Sequence, residues 1–156
     1  PVTEMITGID LVQAMIRIAG GEPLAITQDE VAVDGHAIEC RINAEDPAKN
    51  FMPGPGTIET LKIPEGEGIR FDTMLYEGYV VPPFYDSLLG KLIVRGPDRE
   101  SCLAALKDAL AGLEITGIPT TVPLHALLVD DLDVAAGRVH TRFLEAWLER
   151  RFEPNG

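Results

Sequence analysis

Three features of the sequence predict an α+β fold: an N-terminal helix, a small antiparallel sheet or half-barrel, and C-terminal helices. Apolar residues recur at helical spacing near both ends of the chain. Between them, "HAIECRIN" alternates apolar and polar residues, as a half-buried strand does. The segments that follow are cut by Pro and Gly clusters, which favour tight antiparallel turns over long crossovers.

The first helix lies in "IDLVQAMIRIAGG". Leu11, Val12, Met15, Ile18 and Ala19 fall at i, i+1, i+4, i+7 and i+8, one wide apolar stripe. Asp10 is its expected N-cap and Gly20-Gly21 its stop, and Gly8 separates it from a short turn at "VTEMI". A helix this amphipathic must lie on something, and a part of the protein upstream of Pro1 is the expected partner.

In the middle, "PGPG" (Pro53 to Gly56) excludes helix and central strand. Its glycines allow positive φ, and its prolines stiffen the turn. "TIETLKI" is expected as one strand with a bulge, because Ile58, Leu61 and Ile63 alternate imperfectly. "EGEG" (Glu65 to Gly68) is a turn, and "IRFDTML" is the next strand. After an extended entry broken by Pro82-Pro83, Ser87 to Val94 forms a strand nearly continuous in apolar residues.

The last third is helical. Leu103, Leu106, Leu110 and Leu113 share one face of a helix that starts near Pro97-Asp98. "EITGI" is a short strand. "TVPLHALLVDD" and "TRFLEAWLERRF" are two further helices, the second with Thr141 as N-cap and Phe143, Leu144, Trp147 and Leu148 inward.

The 156 residues suffice for one domain with a core, and their 46% hydrophobic and 24% charged content is that of a soluble globular protein. A formal net charge of -12 argues against nucleic acid and against an anionic membrane surface, both of which demand a basic face. No signal peptide is recognised, and a first residue that is Pro reads as a cut end with part of the protein upstream. Cys40 and Cys102, without zinc-type spacing, read as reduced core thiols of a cytoplasmic protein. His36, His125 and His140 are scattered, and no metal site is expected.

An acidic chain that binds an anion must do so with a few placed cations. Arg41 is the first candidate: a guanidinium stays charged and presents a rigid fork of donors to an anion or a developing negative charge. The structural alternative is an ion pair with Glu39, Glu45 or Asp46. Asp86, at the start of a buried strand, suits either a functional rim or an Asx-turn. Lys91, a lone cation in "LLGKLIV", either snorkels at an edge or pairs with a carboxylate.

Taken together, "PVTEMITGIDLV", "GHAIECRINAEDP", "PGPGTI" and "VVPPFYDSLLGKLIV" resemble the C-terminal part of biotin carboxylase, from Pro1 to about Arg150. The resemblance implies a ligase with an ATP-grasp body that carboxylates biotin on a carrier protein using ATP and bicarbonate, as in acetyl-CoA carboxylase of fatty acid biosynthesis. Residues 1–30 would then end the ATP-grasp region, and 31–156 would form the C-terminal domain. ATP and Mg2+ would be bound by the part upstream of this chain, which alone is expected to be inactive. Arg41 matches the arginine that contacts the biotin ureido group, where a fixed guanidinium stabilises the enolate-like oxygen. Asp86 is expected near Arg41, orienting it, with Glu39 as further support. Arg70 matches a homodimer-interface position, and Glu67 stands where some relatives carry an aromatic residue. Implied partners are the biotin carboxyl carrier protein and carboxyltransferase subunits. The chain closes on "RRFEPNG" with no biotinyl Met-Lys-Met motif, which fits a separate-subunit carboxylase and equally a cut end.

Two competing readings stand beside this one: a non-catalytic interaction module for dimerisation and carrier-protein docking, and a different ATP-grasp ligase, against which "ECRINAED" speaks. The final acceptor of the carboxyl group is left open.

Overall fold

The computed structural model describes residues 1–152. Its first elements are α1 (Val2–Thr7), α2 (Leu11–Ala19), β1 (His36–Asn43), β2 (Glu45–Asp46), β3 (Met52–Pro53), β4 (Gly56–Thr57), β5 (Leu61–Lys62), β6 (Ile69–Thr73) and β7 (Val80–Val81). Then come β8 (Leu88–Gly96), α3 (Arg99–Gly112), β9 (Glu114–Ile115), α4 (Val122–Leu128), α5 (Leu132–Ala135) and α6 (Phe143–Phe152). Glu153 to Gly156, the end of the closing stretch, lie outside the described residues.

The expected antiparallel sheet is present as three strands in the order β1-β8-β6. Three two-stranded antiparallel ladders accompany it: β2 with β3, β4 with β7, and β5 with β9. Alternation puts Cys40 and Ile42 of β1, with Leu92 and Val94 of β8, on an inner face. There α3 packs through Cys102, Leu106, Ala109 and Leu110, and burying each large aliphatic side chain contributes about 1.5–3 kcal/mol. Close approach of α3 to β8 depends on Gly96, where a Cβ would meet the Cys102 amide nitrogen at 2.8 Å.

The outer face of the same sheet carries Glu39, Ile93 and Arg70 in one cross-strand row and Arg41, Lys91 and Asp72 in the next. Ile93 is fully buried there because α1 lies across the row. From α1, Glu4 reaches Arg70. Val2–Thr7 is thus a helix, where only a turn was expected. Gly8 acts as its left-handed stop at φ 71, with its N–H on Glu4 O at 2.9 Å.

The helix cap at Asp10 forms as expected, its carboxylate accepting the Gln13 N–H at 2.8 Å, and the helix expected to start near Pro97-Asp98 is capped by Asp98, which accepts the Ser101 N–H at 2.8 Å. Thr141 is not the cap of α6. The Arg142 N–H instead goes to His140 Nδ1 at 3.3 Å, and the helix begins at Phe143. The apolar stripe of α2 is exposed, Leu11, Val12, Met15 and Ile18 included.

"TIETLKI" is not one bulged strand. The segment pairs first with β7 and then, past Ile58, with β9. The Ile58 N–H goes to Tyr79 O and the Glu59 N–H to Thr116 O, and this change of partner is what breaks the alternation. In "PGPG" neither glycine has positive φ. They are required for space instead: a Cβ on Gly54 would sit 2.2 Å from Pro119 Cγ, and one on Gly56 2.8 Å from Ile118 Cγ2.

Candidate functional site

Arg41 projects from the outer face of β1, with 68% of its side chain exposed. Its Nε lies 3.7 Å from Glu39 Oε1, a loose ion pair without hydrogen-bond geometry. Among the described residues the guanidinium makes no hydrogen bond. The other carboxylates considered as partners are engaged elsewhere. Glu45 Oε1 accepts from Ser87 Oγ at 2.5 Å and from Asn43 Nδ2 at 3.4 Å. Asp46 caps the turn of Pro47–Lys49 through the Ala48 N–H at 3.0 Å and pairs with Lys49 at 3.1 Å. Glu39 is therefore the single acidic neighbour.

Lys91 stands directly across from Arg41 in the β1–β8 register. It forms no ion pair among the described residues. Two cations facing each other across a ladder repel, and Asp72, the carboxylate across from Lys91 on its other side, is bonded to Arg70.

Arg70 differs sharply. Its Nε and Nη2 donate to Asp72 at 2.6 and 2.9 Å, and its Nη1 donates to Glu4 at 2.7 Å. Hydrogen bonds from Asp72 first, and then Glu4, hold its pKa well above the ordinary arginine value. Here the arginine fork ties α1 to β6. Glu67 lies exposed in the turn before β6. Asp86 forms the Asx-turn, accepting the Leu88 N–H at 3.0 Å, and makes no ion pair with Arg41. Phe84 and Tyr85 beside it are fully in solvent reach, both 85% exposed.

Two residues that sequence patterning did not single out hold the backbone of Arg41. Its carbonyl accepts from Thr121 Oγ1 at 3.2 Å and from His125 Nε2 at 2.9 Å. Burial pushes the pKa of His125 down, partly opposed by that hydrogen bond. Burial pushes the Cys40 thiol up to about 12, aided by the Glu39 charge and by Cys102. It is a core group without nucleophilic character.

The site is thus a guanidinium on a fixed strand, with its donors free toward solvent and a carboxylate beside it. It can receive an anionic or strongly polarised oxygen. Among the described residues no group of three or more His, Cys, Asp and Glu side chains converges as metal ligands would.

Comparison with known proteins places these residues in a family. The biotin carboxylase C-terminal domain model matches residues 39–146, and the ATP-binding domain model of the carbamoyl-phosphate synthase L chain matches residues 1–27. The chain is 51% identical over 145 residues to biotin carboxylase of Nostoc sp. and 52% identical over 145 residues to that of Pseudomonas aeruginosa. Each match covers 93% of this chain and 32% of the relative, so the chain spans about a third of the length of these curated relatives. In structure it is similar to the biotin carboxylase domain dimer of Hydrogenobacter thermophilus 2-oxoglutarate carboxylase, in complex with MgADP, ADP and bicarbonate. That match has a TM-score of 0.93 and 46% identity, over 100% of this chain and 34% of the other. Rhizobium etli pyruvate carboxylase is similar at a TM-score of 0.92 and 30% identity, over 99% of this chain and 16% of the other. The chain belongs to the biotin carboxylase C-terminal domain family.

Proposed function

We propose that this chain works as the C-terminal part of a biotin carboxylase that uses ATP and bicarbonate to carboxylate biotin on its carrier protein. In this reading residues 1–30 complete an ATP-grasp body that binds ATP and Mg2+, and residues 31–156 form the domain that presents Arg41. The observation that carries the proposal is the guanidinium of Arg41: it is held on a sheet face with its donors unused and only one loosely placed carboxylate nearby. Unused donors facing the ureido oxygen stabilise the charge that develops there once the ureido nitrogen loses its proton. Glu39, at 3.7 Å, limits where the guanidinium can swing without occupying its donors. Lys91 adds positive potential on the same face.

The ureido base and the nucleotide site belong to the ATP-grasp body. Carboxyltransferase subunits would receive the product, the cytoplasm would be the compartment, and the enzyme would be a homodimer with the Glu67–Arg70 edge at or near its interface. The test is bicarbonate- and biotin-dependent ATP cleavage by the full-length enzyme, with this chain alone as the comparison. Turnover by the full-length enzyme and none by the chain is expected. ATP cleavage that ignores biotin, or turnover by the chain above a no-protein control, would overturn the reading.

A further inference from the structure

We propose that Thr121 and His125 are positioning residues for Arg41: together they clamp the outer edge of β1 and so set where the guanidinium points. This rests on the reading of Arg41 as the group that meets the biotin ureido oxygen.

β1 is an edge strand, because β8 pairs with only one of its sides. On the free side the carbonyl of Arg41 and both backbone groups of Asn43 need partners. The start of α4 supplies all three. Thr121 Oγ1 donates its proton to Arg41 O at 3.2 Å and accepts the Asn43 N–H at 3.0 Å. The Thr121 N–H then goes to Asn43 O at 3.1 Å. One residue thus brackets Ile42, which is fully buried, and Thr121 itself is only 5% exposed. His125, one helical turn later, adds a second donor to the same Arg41 carbonyl at 2.9 Å. A carbonyl only accepts, so the proton sits on Nε2, which fixes the tautomer.

The clamp stands where the strand is least regular. The β1–β8 register shifts between Ile42 and Asn43, so the sheet ladder alone does not fix the backbone direction just past Arg41. The guanidinium has no hydrogen bond of its own to aim it. Its position therefore descends from the backbone of β1, and a displacement there moves the reacting donors directly. Misplacing such a group by about 1 Å can cost on the order of a hundredfold in rate. Ordinary satisfaction of an edge strand would need one donor for Arg41 O. Two donors from one helix, one of them a buried threonine that also holds Asn43 from both sides, make a rigid mount.

The test uses the full-length carboxylase, with Thr121→Val, Thr121→Ser, His125→Leu, His125→Gln and Arg41→Gln compared by biotin and ATP kinetics. Thr121→Val and His125→Leu should lower kcat/KM for biotin about tenfold or more while KM for ATP stays within twofold. Thr121→Ser and His125→Gln, which keep a donor, should restore most of it. Adding His125→Leu to Arg41→Gln should cause no further loss, because the clamp acts only through Arg41.

If Arg41→Gln is crippled toward biotin while His125→Leu and Thr121→Val remain within twofold of wild type, the clamp is structural only and the inference falls alone. If Arg41→Gln shows no biotin defect, the reading of Arg41 falls and takes the inference with it. A loss in all activities that His125→Gln does not rescue would also overturn the inference. Should Thr121→Val fail to fold, the His125 pair carries the test by itself.

Discussion

Arg41 and Arg70 sit on the same sheet face in neighbouring cross-strand rows, and replacing each by Gln should have unequal consequences for stability. Arg70 is 37% exposed and makes three charge-assisted hydrogen bonds, two to Asp72 and one to Glu4. Its loss leaves two carboxylates on the sheet face without a cation and unties α1. Hydrogen bonds to charged groups contribute about 1.5–3 kcal/mol when buried, and partial exposure reduces this to about 1–2 kcal/mol for the set. For a domain of this size each kcal/mol moves Tm by about 2–4 °C, so Arg70→Gln should lower Tm by roughly 2–8 °C. Arg41 is 68% exposed and 3.7 Å from its single partner, which places its contribution below about 0.5 kcal/mol and the shift for Arg41→Gln within about 2 °C. Calorimetry on the two variants at several concentrations makes the comparison, and concentration dependence of the Arg70→Gln shift would report an added interface role. A larger loss for Arg41→Gln than for Arg70→Gln would refute the assignment of one arginine to structure and the other to function.

Cys40, with its thiol near 12, should react with a disulfide reagent at pH 8 roughly a thousandfold more slowly than a free cysteine until the chain unfolds, and fast native-state labelling would contradict its placement in the core. His125 bears on acid stability. Its folded pKa lies below the ordinary histidine value because burial disfavours the imidazolium, so the unfolded chain binds the proton more readily. Stability should therefore decline as pH falls below about 6.5 toward the folded pKa, and His125→Gln should be less sensitive than wild type across that window in denaturant titrations. An identical pH dependence in the two proteins would exclude the linkage.

The features legible in the sequence were those set by near neighbours. Alternation in "HAIECRIN" placed Cys40 and Ile42 inward and Arg41 outward, because the period of a strand is local. Asp10 was readable as a cap and Pro97-Asp98 as a helix start because each cap bonds an amide three residues ahead. Arg41 itself stood out as a guanidinium on a strand otherwise built for burial. The remainder depends on residues far apart in the chain. Thr121 and His125 reach Arg41 across 80 and 84 residues, and no local pattern distinguishes them from an ordinary helix start. Gly54 and Gly56 looked like turn glycines, but the reason for them is the Pro119 and Ile118 side chains against which they pack. Asp86 offered two readings in the sequence, and the bond it accepts from the Leu88 N–H forms the turn of one of them. The split of "TIETLKI" between two partners follows from where β7 and β9 arrive, which its own residues do not encode.

The central claim is that Arg41 stabilises negative charge on biotin, and the kinetics of Arg41→Gln in the full-length carboxylase test it most directly. Losing one donor to a developing oxyanion costs about 3–4 kcal/mol, so kcat/KM for biotin should fall on the order of a hundredfold or more. KM for ATP and Tm should stay near wild type, since neither depends on an exposed guanidinium with no hydrogen bonds among the described residues. Arg41→Gln enzyme that carboxylates biotin at the wild-type rate, or that loses biotin and ATP turnover together with several degrees of Tm, would contradict it.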